Sequence, residues 1–236
     1  MKKQKQMNWQ TQHLSVLRFR LEKDLGYGYC KLVDLTHIDP WYGMVVKVFD
    51  YKSDQPIETV ETIRNADYLL SPISLGWHPN LGGPSDWQII GSLSNADDEQ
   101  CPVFKTAAKV NFQDNRTIVK KQRWHPVFNF KERGAVCEFK QVAHLETLAL
   151  ATPQNIINRT SMTFLRKAGI PIEDYYYLEG NAIAREDYYH SSQMPLYGQV
   201  PKKYRNKTIP PRELPKINYF PYAISCIADV LSSSLN

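Results

Sequence analysis

Paired cysteines are missing from this chain. Cys30, Cys101, Cys137 and Cys226 stand far apart and no C-x-x-C occurs, so zinc ribbons and thioredoxin-like redox chemistry have no support. Glycine (11) and proline (15) are too scarce for a low-complexity scaffold in 236 residues. No apolar run reaches the ~18 residues that a membrane span requires. The start, Met1-Lys2-Lys3-Gln4-Lys5-Gln6, is basic but no apolar stretch follows it, so no secretory leader is expected. These absences point to the cytoplasm, with thiols reduced. The signature motifs of catalysis are absent too: no P-loop, no G-x-G-x-x-G, no G-x-S-x-G, no H-E-x-x-H and no EF-hand loop. No two of the six histidines (13, 37, 78, 125, 144 and 190) stand at the i, i+3 or i+4 spacing that helical zinc sites use. Neither a metal nor a cofactor is expected, and no enzyme.

What is present is a globular composition: 42% hydrophobic, 22% charged and 12% aromatic. The length suits one large domain or two small ones and needs no disulfide to fold. Net charge is +5, unevenly spread. Residues 1–110 carry 12 basic and 13 acidic side chains, so the rest of the chain holds +6. Such an excess steers anionic partners or simply keeps the protein soluble.

Residues 1–12 are polar and read as a flexible N-terminus. From His13 an alternating pattern through Leu21 predicts a strand, and Asp24-Leu25-Gly26-Tyr27-Gly28 predicts the turn of a hairpin. Residues 44–51, with three valines and two aromatics, give the strongest strand signal. A short strand or helical turn is expected at 57–63, a strand edged by Pro72 at 68–73, and another at 87–91. Residues 117–120 and 134–142 look extended. One clear helix is predicted at about 153–168: Thr152 caps it, Pro153 suits its first position, and Gly169 with Pro171 stops it. Its stripe is Ile156, Ile157, Thr160, Phe164, Leu165 and Ala168. Residues 198–216 read as an extended Pro-, Lys- and Arg-rich strap, and 219–232 as a short C-terminal helix. The fold class is therefore α+β, mainly β: a small bent sheet or partly open barrel of short antiparallel strands, with one clear helix and an irregular Pro/Tyr-rich C-terminal part. The expected division is a β-rich region, 13–106, and a C-terminal α/β extension, 107–236, packed on it.

Three sets of residues carry possible chemistry. Asp97-Asp98-Glu99 is an acidic run; Ser94-Asn95-Ala96 beside it argue for a solvated patch rather than a general acid. Trp87 reads as core, whereas Trp77 lies with His78 in a Gly/Pro loop, as a plug or as an aromatic offered to a partner. The basic segment 202–212 can grip phosphates with Tyr204 as a stacking platform, or face water.

The first half also resembles a known family. A strand, the Tyr27-Gly28-Tyr29 hairpin start, the 45–51 strand, Trp87-Gln88-Ile89-Ile90-Gly91 and Pro102-Val103-Phe104 follow in order. This resembles the immunity protein 26 family of bacterial polymorphic toxin systems, over roughly residues 13–106. The resemblance implies a mainly β binding protein, encoded beside a toxin gene, that neutralises the cognate toxin, with no catalysis and no cofactor. The matching positions, Tyr27, Gly28, Trp87, Gly91, Pro102 and Phe104, look structural, and the family supplies no toxin-contacting residue. The expected partner surface is Trp77, His78, Asp97, Asp98 and Glu99. The alternatives are a nucleic-acid-binding β module using residues 202–212 and an enzyme with a non-local active site.

Overall fold

The computed structural model describes residues 13–76, 85–98, 100–107, 123–178 and 181–213. The expectations for residues 1–12, 117–120 and 219–232, and for Trp77, His78 and Glu99, lie outside these. The described residues form two open antiparallel sheets, of five and three strands, with few helices: a mainly β α+β fold. The chain divides into two compact units, Met1–Cys101 with Ala149–Ser161, and Pro102–Leu148 with Met162–Asn236.

In the first unit β1 (Ser15–Arg20) and β2 (Tyr27–Asp34) form the expected hairpin. Its turn needs glycine at position 26: φ is +84°, and a Cβ there would lie 2.2 Å from the Ser53 carbonyl oxygen. β3 (Met44–Ser53), β4 (Ile73–Ser74) and β5 (Gln88–Ser92) complete the order β4-β3-β2-β1-β5. The segment expected as a strand at 68–73 contributes one bridge, Phe49 with Tyr68, and then the two residues of β4 after Pro72. Register shifts between Val16 and Leu17 against β5, and between Gly28 and Cys30 against β3, bend the sheet. One face is apolar: Leu17, Phe19, Cys30, Leu32, Val46 and Val48 are buried, and Trp87 stacks on Phe19 with centroids 4.5 Å apart. The other face is buried as well, although it carries Arg18, Lys31 and Lys47.

The helix expected at 153–168 is α2, Pro153–Lys167. Thr152 Oγ1 accepts from the Asn155 amide at 3.3 Å, while Asn155 Oδ1 accepts from the Thr152 amide at 2.9 Å. At the other end Gly169 (φ +72°) donates to Arg166 and Ile170 to Leu165, a Schellman stop. Residues 156–165 are buried on every side, not along one stripe, and Ala168 is exposed. The first part of α2 belongs to the five-stranded unit: Ser161 Oγ accepts from the Glu22 amide at 3.0 Å and Gln154 donates to Glu22 at 2.7 Å. The preceding residues extend the sheet edge, since Gly76 donates to Ala151 and Ala151 to Ser74.

In the second unit β6 (Phe104–Ala107), β7 (Trp124–Phe128) and β8 (Glu132–Arg133) pair in that order. Pro126 stands in the middle strand opposite Lys105. Proline fits because the Lys105 backbone bonds turn to Glu146 and Leu148 instead, while the Pro126 carbonyl accepts from Gly134. Of residues 134–142, expected to be extended, Cys137 forms an antiparallel bridge with Trp124, but Phe139–Val142 is the single helical turn α1. Trp124, Val142 and Leu145 make a small core there, where Glu138 and Gln141 cap the turn.

A third helix, α3 (Ala182–Gln193), was not foreseen; Asn181 caps it by accepting from the Ala184 amide. The strap is not extended either. Through residue 213 it folds into three short 3-10 turns, Tyr197–Gln199, Lys202–Tyr204 and Pro211–Glu213, around buried Val200, Tyr204 and Ile209.

Candidate functional site

The charged face of the five-stranded sheet holds a dense cluster of buried polar side chains. Antiparallel register sets Lys31 of β2 directly opposite Lys47 of β3. Two like charges so placed repel, and burial sharpens the repulsion. Asp98, on the turn after β5, answers both. Lys31 Nζ lies 2.7 Å from each Asp98 oxygen, Lys47 Nζ is 3.0 Å from Oδ1, and the Asn95 amide donates to Oδ2 at 2.7 Å. Asp97 stands 3.6 Å from Lys47 Nζ and its carbonyl oxygen also accepts from it, at 3.4 Å. The Tyr68 ring covers both ammonium groups, with its centroid 5.8 and 5.7 Å away.

Two residues along β1, Arg18 continues the charged face. It donates to Glu58, to Gln88 at 2.8 Å and to Asp86 at 3.4 Å. Gln88 in turn donates to Asp86 at 2.7 Å. Each of the three cations on this face therefore meets at least one carboxylate.

These contacts set the titration. Burial works against the Asp98 charge, but hydrogen bonds from Lys31, the Asn95 amide and Lys47 outweigh it, and the carboxyl lies below its ordinary range. Burial also lowers Lys31, with Lys47 acting in the same direction against the pull of Asp98. An anchored carboxylate held ionised is a poor general acid at neutral pH. On the opposite face burial pushes the Cys30 thiol far up, which makes it inert as a nucleophile. The arrangement works as a structural clamp that ties β2, β3 and the 95–98 turn together.

The second unit has its own buried polar group. His144 donates from Nε2 to the carbonyls of Tyr204, at 2.9 Å, and Lys207, at 2.7 Å, which fixes its tautomer and holds the basic strap. Burial lowers its pKa to about 4. Lys105 Nζ donates to the carbonyls of Ala143 and Leu145. Among the described residues no group of three or more His, Cys, Asp or Glu is gathered as a metal ion would require.

Of the residues expected to meet a partner, only Asp97 and Asp98 are described, and the solvated-patch reading fails for Asp98. The ammonium groups of Lys31 and Lys47 need a counterion inside, so the second aspartate of the run turns inward and the first stays half exposed. Tyr204 is corrected as well. Its ring is buried with Val200 and Ile209, so the basic segment has no stacking platform there. Tyr197 is likewise buried, and the Arg205 guanidinium lies over its ring at 4.5 Å.

The sequence reading missed Trp41. It stands in the β2–β3 connection, residues 35–43, and is 78% exposed, more than any other large apolar side chain described. The loop is tightly built. Leu35 donates to the Gly43 carbonyl and accepts from the Ile38 and Asp39 amides. The Asp39 carboxylate accepts from the Trp41 amide at 2.8 Å and the Tyr42 amide at 3.3 Å. Backbone from Thr36 and Asp39 presses so closely on Gly43 that a Cβ would lie 2.4 Å from both. A tryptophan beside proline in a turn between two strong strands was the available signal.

Residues 15–116 match the model of a family described as immunity protein 26. The match covers the first half of the chain and takes in β1 to β6, the charged face and the Trp41 loop. Neither a curated protein nor a solved structure matches the chain. Among the described residues no helix is long and apolar enough to cross a membrane.

Proposed function

We propose that this protein is a cytoplasmic immunity protein that binds a cognate bacterial toxin and neutralises it by occlusion, turning nothing over. The family match over residues 15–116 carries this reading. The polar site supports it, since its charges are spent on one another and hold strands in place. The free cysteines among the described residues fit a reducing compartment. Trp77, His78, Asp97 and Glu99 remain the proposed contact set, with Asp98 acting from beneath as the residue that positions Asp97.

The test is direct. The purified protein, mixed with the toxin domain encoded by the adjoining gene, should co-elute with it in gel filtration and should rescue cells expressing it. Separate elution together with no rescue would remove the reading. Salt-sensitive binding of an oligonucleotide, without toxin binding, would favour a nucleic-acid module instead.

A further inference from the structure

The β2–β3 loop combines three properties. It displays a tryptophan that is mostly exposed to solvent. It is held by its own backbone and by Asp39, so little conformational freedom remains to be lost on binding. And its exposed side chains, Thr36, His37, Pro40 and Trp41, include no lysine, arginine or carboxylate. Its base is the pair of strands that Asp98 clamps through Lys31 and Lys47.

Resting on the function proposed above, we infer that this loop is the plug: Trp41 enters a concave, apolar pocket of the toxin domain and supplies the main anchor of the complex. A rigid aromatic projecting from a turn is convex and needs a pocket to lose its water. With no lysine or arginine among those exposed side chains, the loop carries no basic patch for nucleic acid phosphates or an anionic membrane. The inference adds an anchor that the contact set of Trp77, His78, Asp97 and Glu99 does not include.

The experiment compares the full-length protein with Trp41→Ala and Trp41→Phe by calorimetric titration against the toxin domain encoded by the adjoining gene. Each variant is also melted, run alone in gel filtration and mixed with anionic phospholipid vesicles. Trp41→Ala should weaken the complex about 30-fold or more, the threshold of a hot-spot residue, and Trp41→Phe by less. Melting, elution volume and vesicle partitioning should stay as in the natural protein. Equal affinity of Trp41→Ala and the natural protein would overturn the plug while leaving the immunity function standing. A self-associated natural protein that Trp41→Ala makes monomeric, or vesicle binding that it abolishes, would overturn the plug in favour of a second copy or a lipid surface. If the natural protein binds no toxin domain, the proposed function falls and the plug with it.

Discussion

One hairpin shows two opposite placements. In the body of β2 and β3, Lys31 and Lys47 sit where a sheet ordinarily packs valine or leucine, and an aspartate from a later turn neutralises them. At the tip of the same hairpin, a tryptophan stands out in solvent. The inner placement is costly to break and adds little over a well-packed apolar substitute. The outer placement costs the free protein little, since single exposed apolar side chains are ordinary, but it matters to a partner. The inner charges thus serve the fold, and the outer aromatic, on the proposed reading, serves recognition.

Removing the counterion breaks the inner placement most sharply. Asp98→Ala leaves Lys31 and Lys47 buried without it and should cost about 3–5 kcal/mol in chemical denaturation. The triple change Lys31→Met, Lys47→Leu and Asp98→Leu should recover most of that loss. Next in size is the response to acid, which sets the two units against each other. His144 is held neutral, with its folded pKa depressed to about 4 from 6.5. Its contribution is therefore complete above pH 6.5 and is lost as pH falls toward 4, about 3 kcal/mol in all. The Asp98 carboxyl is also depressed, so its contribution holds above the ordinary carboxylate range and is lost only below it. Hydrogen exchange at pH 5 should show amides around residues 200–209 opening before those of β2 and β3.

A smaller effect is expected at the neck of the loop. Gly43→Ala drives a Cβ into backbone at 2.4 Å and should cost about 1–3 kcal/mol by thermal melting. It should also weaken toxin binding, because the tip shifts. The smallest change in stability is the sharpest test of the contrast: Trp41→Ala should leave stability within about 0.5 kcal/mol while affinity drops.

Much of the sheet was legible from residues 13–53 and 87–91, where β-branched and aromatic residues lie between turn signals. The helix at 153–167 was legible because Thr152, Pro153, Gly169 and Pro171 mark both ends. Its all-round burial was not, since Asn158, Arg159 and Thr163 look like a solvent face until the fold covers them. α3 escaped because Ala-Ile-Ala-Arg-Glu-Asp-Tyr-Tyr-His has no clean apolar stripe; its start depends on the Asn181 cap. The strap looked extended because prolines and cations hide the three spaced apolar residues, Val200, Tyr204 and Ile209, that fold it. For the polar site, lysine inside the 44–51 strand was visible, but its partner Asp98 lies 51 positions on. No local pattern separates the inward-turned aspartate from its outward neighbour, because register between distant segments decides it. Trp41 was visible as a residue, but its exposure depends on how the loop closes.

The compact unit that holds β1 to β5 is assembled from two stretches of chain, because Ala149–Ser161 returns to it after an excursion of nearly fifty positions. Homology alone therefore marks a poor place to cut. A fragment ending at residue 116 would strip Gly76 and Ser74 of their bonds to Ala151 and leave the Glu22 amide without Ser161. Whatever transplants this segment must carry residues 149–161 along with it.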